Sequence, residues 1–308
     1  MEMNEHTTYD SDIYYGYILK ADLHGAIAYI KQFPEQSELY NRFVALFEHE
    51  QYIQFDVDDD LNEILALYQH YYRNVFYLGI DKDEAAELLR VAMLEHLGSA
   101  NTNVPLCDLE QKQLPALFES KGLHFMSGKT SGYYGPYVWR STEMVRYEVE
   151  LPDCVQAYSV KLLDGFIMRS WIDYLSFGEI GPGGWADGDG YINCVKSAYD
   201  FESEGFRVSL LKHEAQHAKD LESDKDMSSE DLEYRAKLVE LIYSKERNLL
   251  REFFYEADTS DASNGHAMAA QRIMDDFKEL TGKGSFECCE LPIQQIQQYA
   301  RQLFDWRR

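Results

Sequence analysis

The sequence lacks the features that would place it in a membrane or in an oxidising compartment. None of its apolar runs reaches the roughly 18 residues that a membrane-spanning helix needs. The first residues, Met1–His6, contain no basic segment and no apolar run follows them, so we expect no cleaved signal peptide. The five cysteines are odd in number, and their spacing matches neither a disulfide framework nor a cysteine-based zinc site. We therefore expect a cytoplasmic protein.

Positive charge is also scarce. The 308 residues include 29 Lys and Arg against 54 Asp and Glu, which gives a formal net charge of −25, and no block is rich in Lys or Arg. Such a surface repels phosphate backbones and anionic lipids, so we expect neither a nucleic acid nor a membrane as partner. Hydrophobic residues make up 45% of the chain, which is enough for a substantial core.

The first third of the chain has the pattern of helices. Apolar residues recur at helical spacing through residues 12–98, with breaks at Pro34, at the acidic run Asp56–Asp60 and at Gly79. The acidic run does not have the spacing of an EF-hand loop and predicts the N-terminus of a helix. Residues 22–48 resemble a helical hairpin of the tetratricopeptide kind, but no second copy follows at a fixed period.

The composition changes from Phe125 onward, where glycines separate aromatic and β-branched residues. Residues 137–140 and 145–151 alternate with period two, and residues 157–163 form a third candidate strand. The glycine-rich segment 181–190 lacks the Lys and Ser or Thr of a phosphate-binding loop. These patterns predict a small mixed β-sheet ahead of a second group of helices.

A polar, linker-like stretch at residues 99–107 separates the two regions. We therefore predict an α+β fold that is predominantly helical, with a helical N-terminal domain over residues 1–122 and a second domain over residues 123–308.

The motif His-Glu-x-x-His lies in a predicted helix. No Gly or Pro interrupts residues 208–222, and Ser209 is a good N-cap. Residues four apart share one face of a helix, so the imidazoles of His213 and His217 can bind one ion. Glu214, about 100° around the helix, can take a proton from a water at that ion. The pattern indicates hydrolysis by zinc, which needs neutral nitrogen ligands, an open coordination position and a nearby carboxylate.

Zinc usually takes a third protein ligand, and the sequence offers one shortly after the motif. Ser228 or Ser229 is predicted to cap a second helix, with Asp231 completing a capping box, and Glu233 falls in the first turns. The His-Glu-x-x-His motif followed by Glu233 and Ala236 resembles the gluzincin class of zinc metallopeptidases.

This resemblance covers roughly residues 180–275 and implies specific roles. In gluzincins a glutamate on a following helix is the third ligand, which implies that Glu233 binds Zn²⁺ together with the two histidines; Glu230 and Glu240 are alternative ligands. Position 237 is Lys, where related families often place an Asp that orients a histidine. The class also implies a zincin-like domain and a peptide or protein substrate. A third histidine and a glycine just after His217, as metzincins require, are absent.

Further site residues are predicted from their positions. His266 stands at the start of a predicted helix, and gluzincin-like sites often use an additional His, Tyr or Arg to hold the oxyanion; Tyr255 and Arg272 are the alternatives. Asp220, seven residues after His213 and on the same helix face, is predicted to hydrogen-bond a ligand histidine.

The glycine-rich segment supplies a candidate substrate-binding strand. In zincins an edge strand runs along the cleft above the metal and pairs with an extended substrate, which implies a role for Trp185, Ala186 and Tyr191. A glycine-rich hairpin that binds no ligand is the alternative. Asp187 and Asp189 are compatible with a cation, although turn chemistry explains their spacing as well.

The function predicted from these observations is that of a zinc-dependent metallohydrolase, and specifically a peptidase with Glu214 as general base. The motif is also compatible with a hydrolase that acts on a substrate other than a peptide. A third hypothesis is a non-catalytic interaction module with a structural or absent metal. An N-terminal groove of exposed tyrosines would favour it, with the candidates Tyr14, Tyr15, Tyr17, Tyr71 and Tyr72.

Overall fold

A computed structural model describes residues 8–186, 190–260 and 264–306 and confirms a predominantly helical α+β fold. The described residues form two compact units. Unit 1 runs to Ser141 and includes Gly165–Pro182, whereas unit 2 comprises Thr142–Asp164 and the described residues from Gly183 onward. Two of the boundaries between the units fall inside long strands, at residues 137–150 and 155–169. The chain leaves unit 1 within the first of these strands and returns to it within the second. The division into domains 1–122 and 123–308 stays a prediction.

Unit 1 is built mainly of helices, and their breaks fall at Pro34, at residues 56–58 and at Gly79, as the sequence predicts. The acidic run begins a helix as expected, because the Asp58 side chain accepts a hydrogen bond from the Asp60 N–H. The helices are α1 Ser11–Leu19, α2 Leu23–Ile30, α3 Ser37–Phe43, α4 Asp59–Tyr72, α5 Lys82–His96, α6 Leu106–Asp108, α7 Leu114–Ser120 and α8 Ser170–Leu175. The π-helical turns Val44–Glu48, Arg73–Tyr77 and Leu109–Gln113 extend three of them.

The tyrosines of unit 1 fill its core. Tyr14, Tyr71 and Tyr72 are at most 2% exposed, and Tyr15 and Tyr17 are half-buried. Large aromatic side chains dominate the energetics of the cores that bury them. Tyr14, Tyr71 and Tyr72 therefore stabilise the core of the helical unit and are not available to line an exposed groove, whereas Tyr15 and Tyr17 are partly exposed.

The predicted strands are confirmed, and the first two of them merge into one. The strands are β1 His124–Met126, β2 Lys129–Thr130, β3 Tyr133–Tyr134, β4 Tyr137–Glu150, β5 Val155–Arg169, β6 Gly184–Ala186 and β7 Tyr191–Val195. The larger sheet has the order β1-β4-β5-β7-β6, and β2 pairs with β3. Strands β5 and β7 are parallel, and β6 lies antiparallel to β7 at the edge of the sheet.

The helices of unit 2 surround one central helix. They are α9 Leu211–Ser223, α10 Ser229–Tyr243, α11 Leu249–Glu256, α12 Gly265–Thr281, α13 Ser285–Cys289 and α14 Ile293–Trp306. Helix α10 contacts α9, α12 and α14. Its N-cap is Ser228, whose hydroxyl accepts from the Asp231 N–H at 3.1 Å, as predicted. Tyr234, Leu238 and Leu241 recur at helical spacing and are buried, so they hold α10 in the core of unit 2.

The helix that carries the His-Glu-x-x-His motif begins earlier than predicted. A π-helical turn, Gly205–Leu210, leads directly into α9, so Ser209 lies inside the helical segment and is not its N-cap. The Ser203 hydroxyl instead accepts a hydrogen bond from the Phe206 N–H at 3.2 Å. A serine ahead of a continuous helical stretch can cap it only where the backbone is still extended, and this condition fails at Ser209.

Within the described ranges, every helix is too short or too polar to span a bilayer.

Candidate metal centre

Helix α9 brings the two motif histidines together, as the spacing predicts. His213 and His217 are 6% and 8% exposed, and their Nε2 atoms are 2.8 Å apart. Asp220, seven residues after His213 and therefore on the same face, is also buried, so this face of α9 lies against the protein interior. Two buried imidazole nitrogens that face the same point are the arrangement in which histidines bind one metal ion.

Glu233 on α10 completes a group of three candidate metal ligands. Its Oε2 lies 3.3 Å from His213 Nε2, and its Oε1 lies 3.5 Å from His217 Nε2. A tetrahedral zinc site with bonds of about 2.0–2.1 Å separates its ligand atoms by roughly 3.3 Å, so these distances fit the ion. Ala236, fully buried one turn further along, has the small side chain that lets α10 approach α9 closely. The group could hold a metal ion.

One oxygen of this cluster lacks a hydrogen bond. Glu233 Oε2 is buried, and none of the described residues is placed to donate to it. His266 Nδ1 is only 2.9 Å away and His213 Nε2 only 3.3 Å, but neither nitrogen has hydrogen-bonding geometry. A buried carboxylate oxygen without a donor is costly in a folded protein, and a cation would satisfy it.

Glu240 binds the ring nitrogen of His213 that faces away from His217 and Glu233. Its Oε1 accepts a hydrogen bond from His213 Nδ1 at 2.7 Å, and both residues are buried. This contact directs His213 Nε2 toward His217 and Glu233. Metal-binding histidines usually donate their second ring N–H to such a carboxylate, which fixes the tautomer and the ring orientation. Glu240 was one of the alternative ligands, and the structure places it behind the ligand shell instead.

The carboxylates and imidazoles of the cluster strongly shift each other's pKa values. Burial alone would lower the pKa of His213, but the adjacent carboxylates of Glu233 and Glu240 outweigh it and raise the pKa to about 10. Burial likewise would raise the pKa of Glu233, but the three nearby imidazoles hold that pKa well below its usual range. The same buried carboxylates that favour protonated imidazoles would also favour a metal cation bound between them.

His266 lies beside the cluster, at the position expected from the sequence. It is the second residue of α12, its side chain is about half exposed, and its ring stacks against that of His213 with centroids 6.1 Å apart. Gly265 makes this placement possible, because a Cβ there would come within 2.2 Å of Ser229 Oγ on α10. The absence of a side chain at this glycine thus brings the start of α12 against the start of α10.

Asp220 does not contact a ligand histidine in the way predicted. Its Oδ2 accepts from Arg235 Nε at 2.8 Å, which joins α9 to α10 beside the cluster. Arg235 is contributed by a different helix, so no spacing within α9 reveals it. Lys237, which is buried, forms an ion pair at 2.7 Å with the partly exposed Glu256 on α11.

Glu214 and a tyrosine that the sequence does not suggest lie close to the cluster. Glu214 follows His213 on α9 and is partly exposed. Burial, together with the charges of Cys194, Glu214 and Glu240, raises the pKa of Tyr199 to about 12, so its phenol stays protonated at neutral pH. The Tyr199 hydroxyl lies against Gly183, just before β6, where a Cβ would be 2.4 Å away. The Tyr199 phenol is thus close enough to Glu214, the predicted base, to be affected by its charge.

The predicted substrate-binding residues lie on the edge pair of strands. Trp185 pairs with Asn193, and Tyr191 begins β7, where Lys161 Nζ lies 4.3 Å from the centre of its ring. Gly184 lets β6 approach the motif helix, because a Cβ there would be 2.5 Å from a Leu210 methyl group. Ala186 lies in β6, but its side chain, like Asp187 and Asp189, is outside the described part of the structure. Substrate binding at this edge stays a prediction.

The remaining candidates are placed outside the three-ligand group. Glu230 lies near Arg272, whose guanidinium Nη1 donates to Asp231 Oδ1 at 2.7 Å. Arg272 is thereby engaged at the start of α10. Tyr255 is 73% exposed, and among its described contacts is the ring of Phe254. Neither Arg272 nor Tyr255 contacts the cluster in the described structure.

Comparisons with protein-family profiles, with curated proteins and with solved structures found no match. The geometry of the cluster therefore carries the functional argument by itself.

Proposed function

We propose that the protein is a zinc-dependent metallohydrolase, and specifically a peptidase, of the gluzincin type. The observation that carries this proposal is the buried group of His213, His217 and Glu233, with Glu240 on the far nitrogen of His213. Two imidazoles and one carboxylate are the donor set of hydrolytic zinc sites, which leave the fourth position to water or substrate.

The proposed reaction assigns a task to each group. Bound zinc would supply Lewis-acid chemistry, which acidifies a water and polarises the scissile carbonyl. Glu214 takes the proton from the attacking water and returns it to the leaving amine. His266, beside Glu233, donates to the oxygen on which negative charge develops, and such donors contribute most when they are already in place. An extended substrate would pair with β6, the edge strand next to α9.

The test is the variant Glu214→Gln, assayed against a library of short peptides with the zinc-loaded protein. We expect unchanged zinc content and a turnover lower by about 10²–10⁴-fold, because a general base contributes about that much. Glu222→Gln, on an exposed position of the same helix, is the matched control and should cleave at the wild-type rate. Wild-type turnover in Glu214→Gln would contradict the mechanism.

A second candidate, a structural metal in a non-catalytic protein, is favoured by one observation. His266 Nδ1 lies 2.9 Å from Glu233 Oε2 and could provide a fourth protein ligand, which would close the site. X-ray absorption spectroscopy of the zinc-loaded protein separates the two functions. Three protein ligands and one light oxygen scatterer support the hydrolase, whereas three imidazoles and one carboxylate support the structural site.

A further inference from the structure

Unit 2 contains a groove that the metal centre does not use. Its volume is about 390 Å³, and its lining residues include Tyr147–Glu150 of β4, Phe201, Phe206 and Leu211. Leu211 is two residues before His213, so it points about 200° away from the histidine around α9. We call this cavity the β4 groove; it opens on the side of α9 that faces away from the metal ligands.

The groove follows the edge of β4 rather than one face of the sheet. Four consecutive residues, Tyr147–Glu150, line it, and successive side chains in a strand point to opposite faces. A cavity that contacts all four therefore runs along the strand edge. On the side opposite β5, β4 pairs with β1 only at Tyr137–Trp139. Over Tyr147–Glu150 this edge has no paired strand in the described part of the chain. The Lys212 ammonium already binds the Glu150 carbonyl oxygen, so Tyr147–Val149 offer the backbone groups that can accept another strand.

The interior of the groove is apolar and aromatic. The ring of Phe206 meets those of Tyr147 and Phe201 edge-on, with centroids 5.5 Å and 4.8 Å apart. Val149 and Leu211 are buried beside them. Cavities that bind organic groups have volumes of about 300–1,000 Å³ and similar linings, so this one has room for a large apolar side chain.

The rim of the groove is negatively charged. The exposed carboxylates of Glu148 and Glu150 form no ion pair with a described residue. The two cations at the rim are engaged: Arg207 pairs with Glu202, and the Lys212 ammonium donates to the Glu150 carbonyl oxygen. A bound segment would therefore meet the carboxylates of Glu148 and Glu150, of which Glu150 also interacts with the nearby Lys212, in a chain whose formal net charge is −25.

We propose that the β4 groove binds an extended peptide segment in which a large aromatic side chain stands between basic residues. The peptide backbone would pair with the open edge of β4, and its aromatic side chain would enter the cavity beside Phe206. Its Lys or Arg residues would lie against Glu148 and Glu150. The site is separate from the metal ligands, so binding there needs neither the metal nor turnover. In a peptidase, it would hold a substrate region away from the bond that is cut.

The experiment is calorimetric titration of the full-length protein in EDTA, so that no zinc-dependent cleavage occurs. The probe is a capped pentapeptide with lysine at both ends, threonine at positions two and four, and phenylalanine in the centre. We expect saturable binding that weakens at least about tenfold when glycine replaces the phenylalanine, because one buried aromatic side chain contributes at least that much. Absence of saturable binding, or equal binding of the glycine peptide, would overturn the proposal.

Charge reversal at the rim of the groove provides a second test by the same titration. The double variant Glu148→Lys/Glu150→Lys should bind the probe at least about tenfold more weakly. The matched control, Glu246→Lys/Glu279→Lys, changes the net charge equally at exposed positions elsewhere in unit 2 and should bind as wild type. Circular dichroism checks that both variants are folded. Equal weakening in the two variants, or none in the first, would show that the groove does not recognise the peptide. These results are independent of the Glu214→Gln assay, so each proposal can fail alone.

Discussion

His213 Nδ1 donates a hydrogen bond of 2.7 Å to Glu240 Oε1, on the same helix that carries Glu233 two turns earlier. Residues seven apart share one face of a helix, so α10 presents both the carboxylate of the candidate metal centre and the carboxylate that orients His213. The Asp220–Arg235 ion pair fixes α10 against α9 nearby. The ligand group thus depends on the packing of these two helices.

The first prediction concerns Glu240. The variant Glu240→Ala should bind zinc about 10–100-fold more weakly than wild type, because His213 loses the acceptor that fixes its ring. Glu240→Gln retains an acceptor and should lose less. Competition against a chromophoric chelator measures both affinities, with Glu279→Gln as an exposed control. Wild-type affinity in Glu240→Ala would mean that the hydrogen bond does not support the metal site.

The second prediction concerns His266. In the proposed hydrolase, His266→Ala should keep one zinc per chain and lower turnover by about 10²–10³-fold, the usual loss when one donor to a developing oxyanion is removed. Zinc content and peptide cleavage are measured on the same preparation. Loss of the zinc together with turnover would instead identify His266 as a fourth ligand.

The third prediction concerns the contact between the starts of α10 and α12. Gly265→Ala places a Cβ about where Ser229 Oγ lies, so the start of α12 must shift, at a cost of about 1–3 kcal/mol in the free energy of unfolding. Adding Ser229→Gly removes the clashing side chain and should recover part of this loss. Urea denaturation of the single and double variants gives the coupling between the two positions. Additive effects would argue against the close approach.

The fourth prediction concerns pH and unit 1. Burial raises the pKa of Glu110 to about 7, and the Tyr68 hydroxyl donates to its carboxylate at 2.7 Å. Between the unfolded pKa near 4.5 and the folded pKa near 7, the unfolded chain ionises while the folded one stays protonated. The free energy of unfolding contributed at this site therefore falls by about 3 kcal/mol as pH rises through that window, and it is constant above it.

Glu110→Gln removes this titration. Relative to wild type, the variant should gain about 3 kcal/mol of unfolding free energy between pH 4 and pH 8. Urea denaturation at a series of pH values measures the difference. A difference that stays the same at every pH would contradict the raised pKa.

The parts of the site that follow from local periodicity could be predicted from the sequence. The two histidines share a helix face because they are four residues apart, and Glu233 falls in the first turns of a helix whose Ser228 cap is visible in the sequence. The role of Glu240 could not be fixed in advance, because Glu233 and Glu240 lie on the same face. Only the packing of α10 on α9 decides which carboxylate reaches both histidines.

Long-range contacts explain the predictions that failed. Asp220 was expected to orient a histidine, but Arg235 from another helix takes its carboxylate. Serine is a favoured N-cap residue, but Ser209 already lies within the π-helical turn that precedes α9. The strands were found from their period-two pattern, whereas the path of β4 and β5 through both units depends on tertiary contacts.

Metal analysis of the purified protein tests the central claim most directly. We predict close to one zinc ion per chain in the wild type, and a content reduced to background in the double variant His213→Ala/His217→Ala, with Glu279→Gln as a folded control. A wild-type protein that binds no metal after incubation with zinc, or a double variant that retains the full amount, would contradict the account.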